Sequence, residues 1–435
     1  MAFDVIIGRN DGDMKDFGNR GLAYIGKSYV KMGNYTSLSN PIYLDIARTH
    51  VMLISGKRGS GKSYTIGTIA EALSDLGAEE SGNIASLIFD TMGIYWTMKY
   101  PNGKDTKLLE EWGLKPKKVP VKVFAPFGYY QEYIDKGVEV DAEFAIKISE
   151  LDSGEWVSLF ELNYTSPVAV GIELAIMNLR KRKTSYNFED IFEEVNALGN
   201  ISNDVKNSIL SLFGSAKSWK VFSEEKGLTT KELVQAGQTS VIDLSMYASM
   251  GSFNIRGLII GIISKKLFDE RMKSRKDEEI KAVSYGSNYN QFKPSRDMPL
   301  IWIFIDEAHE FLPKEGHTPA SNALIQILRE GRQPGLSLVL ATQQPGKIHT
   351  DAITQSDIVL SHRVTAELDT KALNEITQSY LYSNITDKLN ELPKLKGSAI
   401  ILDDNSERIY PLRVRPRYTW HGGEAPLAIR KNEDF

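Results

Sequence analysis

From Val51 onward the chain repeats one texture: a short apolar run, a cluster of small or acidic residues, then apolar positions at helical spacing. A parallel sheet covered by helices on both faces produces that rhythm, because its doubly buried strands read as unbroken apolar runs and each crossover needs a helix. The runs predict strands at Val51 to Ser55, Ala85 to Asp90, Val121 to Phe124, Val241 to Leu244, Leu300 to Ile305 and Leu336 to Ala341. Two more are predicted at Asp357 to Ser361 and Gly397 to Leu402. Upstream, residues 1 to 45 carry only short apolar runs (Val5 to Ile7, Leu22 to Ile25, Ile42 to Leu44), which predicts a short N-terminal β element.

Between Ser153 and Gly237 the strand rhythm stops, and amphipathic patterns at Val168 to Arg182, Phe188 to Ala197 and Val205 to Phe213 predict an inserted helical subdomain. A helix over Ile255 to Lys276 is expected to give way to a long loop from Asp277 to Pro299, rich in Ser, Asn and Gly. The expected organisation is a β element at 1–45, an α/β core in two parts at 46–152 and 237–420, the helical insertion at 153–236 and a tail at 421–435.

Composition narrows the chemistry. With 435 residues, 42% of them hydrophobic and 25% charged, the chain is ordinary globular material. No window approaches the roughly 18 uninterrupted apolar residues that a membrane span needs. The N-terminus lacks a basic stretch followed by an apolar one, so a cytoplasmic protein without membrane attachment is expected. The absence of cysteine excludes disulfides, thiolate zinc sites and a cysteine nucleophile, and the six histidines show no metal-ligand spacing. Any metal is therefore expected to be a hard ion held by oxygen. A net charge of −4 argues against a surface basic all over, but a ring can concentrate a few basic residues per subunit around a pore.

The strongest local signal is Gly56-Lys57-Arg58-Gly59-Ser60-Gly61-Lys62-Ser63, placed between the apolar run Val51 to Ser55 and a helical pattern over Tyr64 to Leu76. Small residues there let successive backbone N–H groups curl around a phosphate at the positive end of a helix. Lys62 would reach the β and γ phosphates of ATP, Ser63 would ligate Mg²⁺, and Tyr64 follows within the nucleotide site. A second match, Gly21 to Ser28, carries bulky apolar residues where a phosphate cradle needs small ones, and no helix follows; it reads as a strand ending in a turn.

The run Leu300 to Ile305 ends in Asp306-Glu307, which a buried parallel strand would deliver to the sheet edge beside that loop. Asp306 would hold hydrated Mg²⁺ and Glu307 would polarise the attacking water as general base. A third buried run, Leu336 to Ala341, ends in Thr342-Gln343, making Gln343 the candidate γ-phosphate sensor with Thr342 the alternative. In Leu328-Arg329-Glu330-Gly331-Arg332 the arginines either reach a neighbouring subunit's nucleotide or pair with Glu330 on a solvated helix end. The clusters Arg180 to Lys183 and Lys115, Lys117, Lys118 are either DNA phosphate contacts or solvated faces, and His309 either senses the site or caps a helix.

Four blocks together resemble the HerA-like branch of the HerA and FtsK superfamily of DNA-pumping ATPases. They are Gly56 to Ser63, Ile88-Phe89-Asp90-Thr91-Met92-Gly93-Ile94-Tyr95, Ile305-Asp306-Glu307-Ala308-His309-Glu310-Phe311-Leu312, and Arg329 to Arg332 leading to Ala341-Thr342-Gln343-Gln344-Pro345. Their order and spacing fit that family across roughly residues 46 to 415. The resemblance implies an α/β, RecA-like P-loop NTPase core with a mainly parallel central sheet. It implies a homohexamer that moves double-stranded DNA through a pore, with a NurA-like nuclease as partner in end processing. It places an arginine finger on Arg329 or Arg332, with Arg408, Arg413 and Arg415 as further candidates. HerA proteins usually begin with a larger β-barrel than residues 1–45 could form, which brings genome packaging or defence against foreign DNA alongside end processing. A protein-remodelling ATPase that does not bind DNA is the other reading.

Overall fold

A computed structural model describes residues 4–32, 35–225, 227–249, 254–285, 296–364, 369, 371–373 and 385–424. Its strands are β1 Val5–Ile7, β2 Leu22–Met32, β3 Tyr35–Asp45, β4 Val51–Ser55, β5 Ile84–Asp90, β6 Val121–Pro126, β7 Ala142–Phe144, β8 Ile146–Lys147, β9 Phe222–Ser223, β10 Thr239–Asp243, β11 Leu300–Ile305, β12 Leu336–Thr342, β13 Ile358–His362, β14 Ser398–Asp403 and β15 Arg408–Val414. Thirteen of them form one sheet in the order β1-β3-β2-β15-β14-β13-β4-β12-β11-β5-β10-β6-β7, while β8 and β9 pair separately. From β13 to β7 every pairing is parallel. This is the mainly parallel α/β sheet the apolar runs predicted, with strand ends displaced by a residue or two.

Register decides function here. Thr342 lies opposite Ser55, Leu340 opposite Ile305, Ile305 opposite Phe89 and Asp243 opposite Asp90, so β4, β12, β11, β5 and β10 all end along one edge. The residues that follow these strands therefore meet at the carboxyl edge, where open α/β sheets bind ligands. Helix α1 (Asp11–Phe17), capped by Asn10, lies in the N-terminal stretch and has no counterpart in the sequence reading. Helix α2 (Lys62–Ser74) packs its buried Ile66, Ile69 and Leu73 onto one sheet face with Ile54, Val339 and Ala341.

The opposite face is covered by α3 (Ser153–Leu159), α4 (Pro167–Arg182), α5 (Phe188–Ala197), α6 (Asn203–Ser218), α7 (Ile255–Tyr285) and α8 (Ser321–Glu330). Trp156 of α3 anchors the first group, with ring centroids 4.9 Å from Phe213, 5.1 Å from Phe222 and 5.7 Å from Phe160. Aromatic contacts of this kind add about 0.5–1.5 kcal/mol each beyond the area they bury.

Three expectations are corrected or bounded. Helix α7 continues to Tyr285 instead of ending near Lys276, because Arg271 is buried and bonded to the Pro334 and Met298 carbonyls and to Glu278, which ties the extra turns to the core. The remainder of the expected loop, 286–295, falls outside the described residues. The Gly21–Ser28 stretch lies in β2, but that strand runs on to Met32 without a turn at Ser28. Finally, β2 pairs antiparallel with β15, so the N-terminal strands continue the central sheet.

Candidate functional site

The loop after β4 turns sharply because Gly59 and Gly61 take φ of +75° and +117°. Gly61 caps α2 with no side-chain hydrogen bond, leaving the first amides of the helix to point at a ligand. The space is close-fitting: a Cβ on Gly56 would stand 2.5 Å from Ser60 Oγ and 2.7 Å from His362 Cβ. His362 closes the floor of the loop, with Nε2 2.9 Å from Thr65 Oγ1 and Nδ1 3.1 Å from the Ser398 carbonyl. Burial pulls its pKa down to about 4, so the ring is neutral under a loop that already carries a lysine.

Lys62 is only 5% exposed, and its Nζ lies 3.5 Å from the Lys57 carbonyl. Burial lowers its pKa, against the pull of Glu307 and Asp306. Ser63 Oγ donates to Asp306 Oδ2 at 2.5 Å, which joins the glycine loop to the end of β11. The Tyr95 hydroxyl stands 3.2 Å from both Asp306 Oδ2 and the Ser63 carbonyl. Burial raises the pKa of Asp306, and the Ser63 hydrogen bond opposes it.

Glu307 is held at φ +50°, an unusual conformation for a residue with a side chain, and such strain gathers at functional sites. Gln343 at the end of β12 donates to Glu307 Oε1. His309 Nδ1 lies 3.1 Å from Thr342 Oγ1 and 3.6 Å from Glu307 Oε2. Glu307 Oε2 is nevertheless buried with no hydrogen-bond partner among the described residues, as is Ser60 Oγ. Two orphaned polar atoms beside a lysine and a bare helix terminus are what a polar ligand and a water molecule would satisfy.

Gly56 to Ser63, Asp306, Glu307, Thr342 and Gln343 are thus brought together, with Lys57 and Arg58 exposed on the loop and Tyr64 on the first turn of α2. Arg329 and Arg332 are not. They rim a polar cavity of about 260 Å³ with His50, Val51, Leu336 and Asp357, at the starts of β4 and β12 and so at the opposite edge of the sheet. Arg329 pairs with Asp351 at 2.6 Å instead of Glu330. Arg415 is fully buried against Glu71, whereas Arg408 is exposed. In the insertion, Arg182 and Lys183 are paired with Glu194 and Asp190, and Lys117 is paired with Asp75.

Sequence reasoning missed three contributors. Tyr95 and His362 lie far along the chain from the groups they touch, and Glu71 is an unremarkable helix glutamate until the C-terminal segment folds over it. The only available signal was Tyr95's place in the block that starts at Asp90.

A glycine loop capping a helix beside a strand ending in Asp-Glu, on a parallel sheet with β12 between, defines the P-loop NTPase class. Residues 30–260, more than half of the chain, match the family described as "Helicase HerA, central domain", and the chain belongs to that family. It is 25% identical over 367 residues to the DNA double-strand break repair helicase HerA of Sulfolobus acidocaldarius, covering 83% of this chain and 63% of that one. It is 28% identical over 159 residues to a probable DNA double-strand break repair helicase HerA of Methanocaldococcus jannaschii, covering 33% of this chain and 31% of the relative. The matched segments thus span less than two thirds of these relatives' own lengths. Two solved structures share the fold. VirB4 of Thermoanaerobacter pseudethanolicus has a TM-score of 0.55 at 12% identity, covering 91% of this chain and 97% of that one. The bacterial conjugative coupling protein TrwBdeltaN70 has a TM-score of 0.52 at 11% identity, covering 96% and 93%. No helix among the described residues is long and apolar enough to cross a membrane.

Proposed function

We propose that this chain hydrolyses ATP and, as a homohexameric ring, uses the energy to move double-stranded DNA. The observation that carries the reading is the joined cluster of Ser63, Asp306, Glu307 and Gln343, with one Glu307 oxygen buried and without a partner. ATP phosphates fit the bare amides at Gly61 and the Lys62 ammonium, with Gly56 to Ser63 as the cradle and Tyr64 beside it. Mg²⁺ suits the hard oxygen donors of Ser63 and Asp306 and, when bound, neutralises charge on the phosphate oxygens.

The protein's own groups do the rest. Gln343 holds Glu307 by its Oε1, which leaves Oε2 to orient the attacking water and accept its proton as phosphorus–oxygen bond formation begins. Lys62, drawn toward Glu307 and Asp306 against the cost of burial, offsets the charge that develops on the phosphate oxygens. Arg329 or Arg332 would act on the neighbouring subunit's nucleotide, since each lies across the sheet from its own. DNA contacts would be to phosphates and independent of sequence, with Lys115 and Lys118 of each subunit as candidates. The names of the HerA relatives support repair of double-strand breaks as the setting, and the family resemblance supports a NurA-like nuclease as partner.

The test is ATP turnover by the full chain with and without long double-stranded DNA, across rising salt. Turnover stimulated by DNA, reduced by salt and lost in Glu307→Gln and Lys62→Ala supports the reading. A single rate regardless of DNA, with no salt-dependent binding, would move the chain to a protein-remodelling ATPase.

A further inference from the structure

We propose that Tyr95 is a positioning residue for the metal site, its hydroxyl fixing the Asp306 carboxylate against Ser63 while Asp90 locks the backbone that presents it. This inference rests on the nucleotide-site reading above and adds a residue which that reading does not use.

The geometry starts at the end of β5. Asp90 is fully buried, and its Oδ1 accepts from the Gly93 amide at 2.8 Å and the Met92 amide at 3.2 Å. Its Oδ2 accepts from the Tyr95 amide at 2.7 Å. One carboxylate therefore closes the turn 91–95, whose Gly93 takes φ +68° where a Cβ would meet Ser245 Oγ at 2.8 Å. The turn has no room to drift, and Tyr95 leaves it with its side chain wholly buried.

The phenol then reaches from the end of β5 to the end of its neighbour β11, beside the start of α2. A single O–H proton faces two acceptors at 3.2 Å, the Ser63 carbonyl and Asp306 Oδ2. The carboxylate is the stronger acceptor, because hydrogen bonds to charged groups are about twice as strong as neutral ones. Asp306 Oδ1 accepts from the Glu307 amide at 2.9 Å, so Ser63, Glu307 and Tyr95 together fix the plane of the carboxylate.

Groups that orient a metal ligand typically account for about 10- to 100-fold in metal affinity. Tyr95→Phe removes the hydroxyl and keeps the ring, so the fold is expected to stay intact. The measurement is Mn²⁺ uptake by the full-length protein saturated with ADP, followed by loss of the free Mn²⁺ electron paramagnetic resonance signal. ADP affinity in EDTA and the melting temperature are measured alongside.

The expected result is Mn²⁺ binding about 10-fold weaker in Tyr95→Phe, with ADP affinity in EDTA and melting temperature unchanged. Asp90→Asn should weaken Mn²⁺ in the same direction. Mn²⁺ binding within twofold of the unmutated protein overturns the proposal, as does equal loss of ADP affinity in EDTA, which would mark Tyr95 as a packing residue. If the unmutated protein takes up no Mn²⁺ with ADP, the nucleotide-site reading itself fails and Tyr95 falls with it.

Discussion

His362 is an uncharged ring buried beneath the glycine loop. It lies under Gly56 and Gly61, bonded to Thr65 and to the Ser398 carbonyl, and protonating it would place a second cation beneath Lys62 in a buried space. Its pKa falls from 6.5 in the open chain to about 4 in the fold because of burial. A base whose folded pKa is depressed stabilises the fold above its unfolded pKa, and that contribution is lost as pH falls through the folded value. The melting temperature should therefore decline between pH 6.5 and about 4, and the decline should be shallower in His362→Gln. Identical melting curves for the two proteins across that window would show that the histidine carries no such linkage.

Glu71 is the corresponding case at the scale of an element. It lies in the middle of α2, fully buried, and accepts from the Arg415 and Arg417 guanidinium groups at 3.2 and 2.9 Å and from the Tyr418 and Thr419 amides at 2.9 and 3.2 Å. The segment after β15 is thereby laid across the helix that begins at Lys62, and a Cβ on Gly67 would stand 2.4 Å from Arg417. Removing one partner of a buried ion pair leaves uncompensated charge and costs about 3–5 kcal/mol. Glu71→Ala is therefore expected to unfold at much lower denaturant concentration than the unmutated chain. A shift near zero in urea melts would mean that water reaches both arginines.

Why that segment was hard to foresee is physical. Strands β4, β5, β11 and β12 announce themselves because both their faces are buried, so nearly every residue is apolar. Strand β15 reads Arg-Ile-Tyr-Pro-Leu-Arg-Val, with only Leu412 and Val414 buried and with Pro411 in its middle, which local pattern demotes. The glycine loop and the Asp-Glu strand end were legible because their chemistry needs fixed residue types at fixed spacing. Tyr95, His362 and Glu71 were not, since each acts on a group far away in sequence.

At the scale of the molecule, the exposed Arg329 and Arg332 and the glycine loop occupy opposite edges of the same sheet. Arg329 and Arg332 lie across the sheet from the Lys62 of their own chain, so the proposed contact of either with a nucleotide would need a second copy. Arg332→Ala is expected to lower the turnover of the assembled protein by about 10³-fold, the scale of an arginine finger, while leaving ATP binding intact. If the proposed ring forms, mixing Arg332→Ala with Lys62→Ala chains should restore part of the activity, because the first keeps Lys62 and the second supplies Arg332. Full activity of the homogeneous Arg332→Ala protein would exclude that arginine.

The covering of α2 by Arg415 and Arg417 also has a practical side. Force applied to the chain beyond Trp420, whether from an affinity handle, a surface tether or a bound protein, would meet the Arg415 and Arg417 bonds to Glu71 and so load the helix whose first residue is Lys62. Handles for single-molecule work therefore belong at the other end, where β1 is joined to the sheet by its pairing with β3 and does not cross α2.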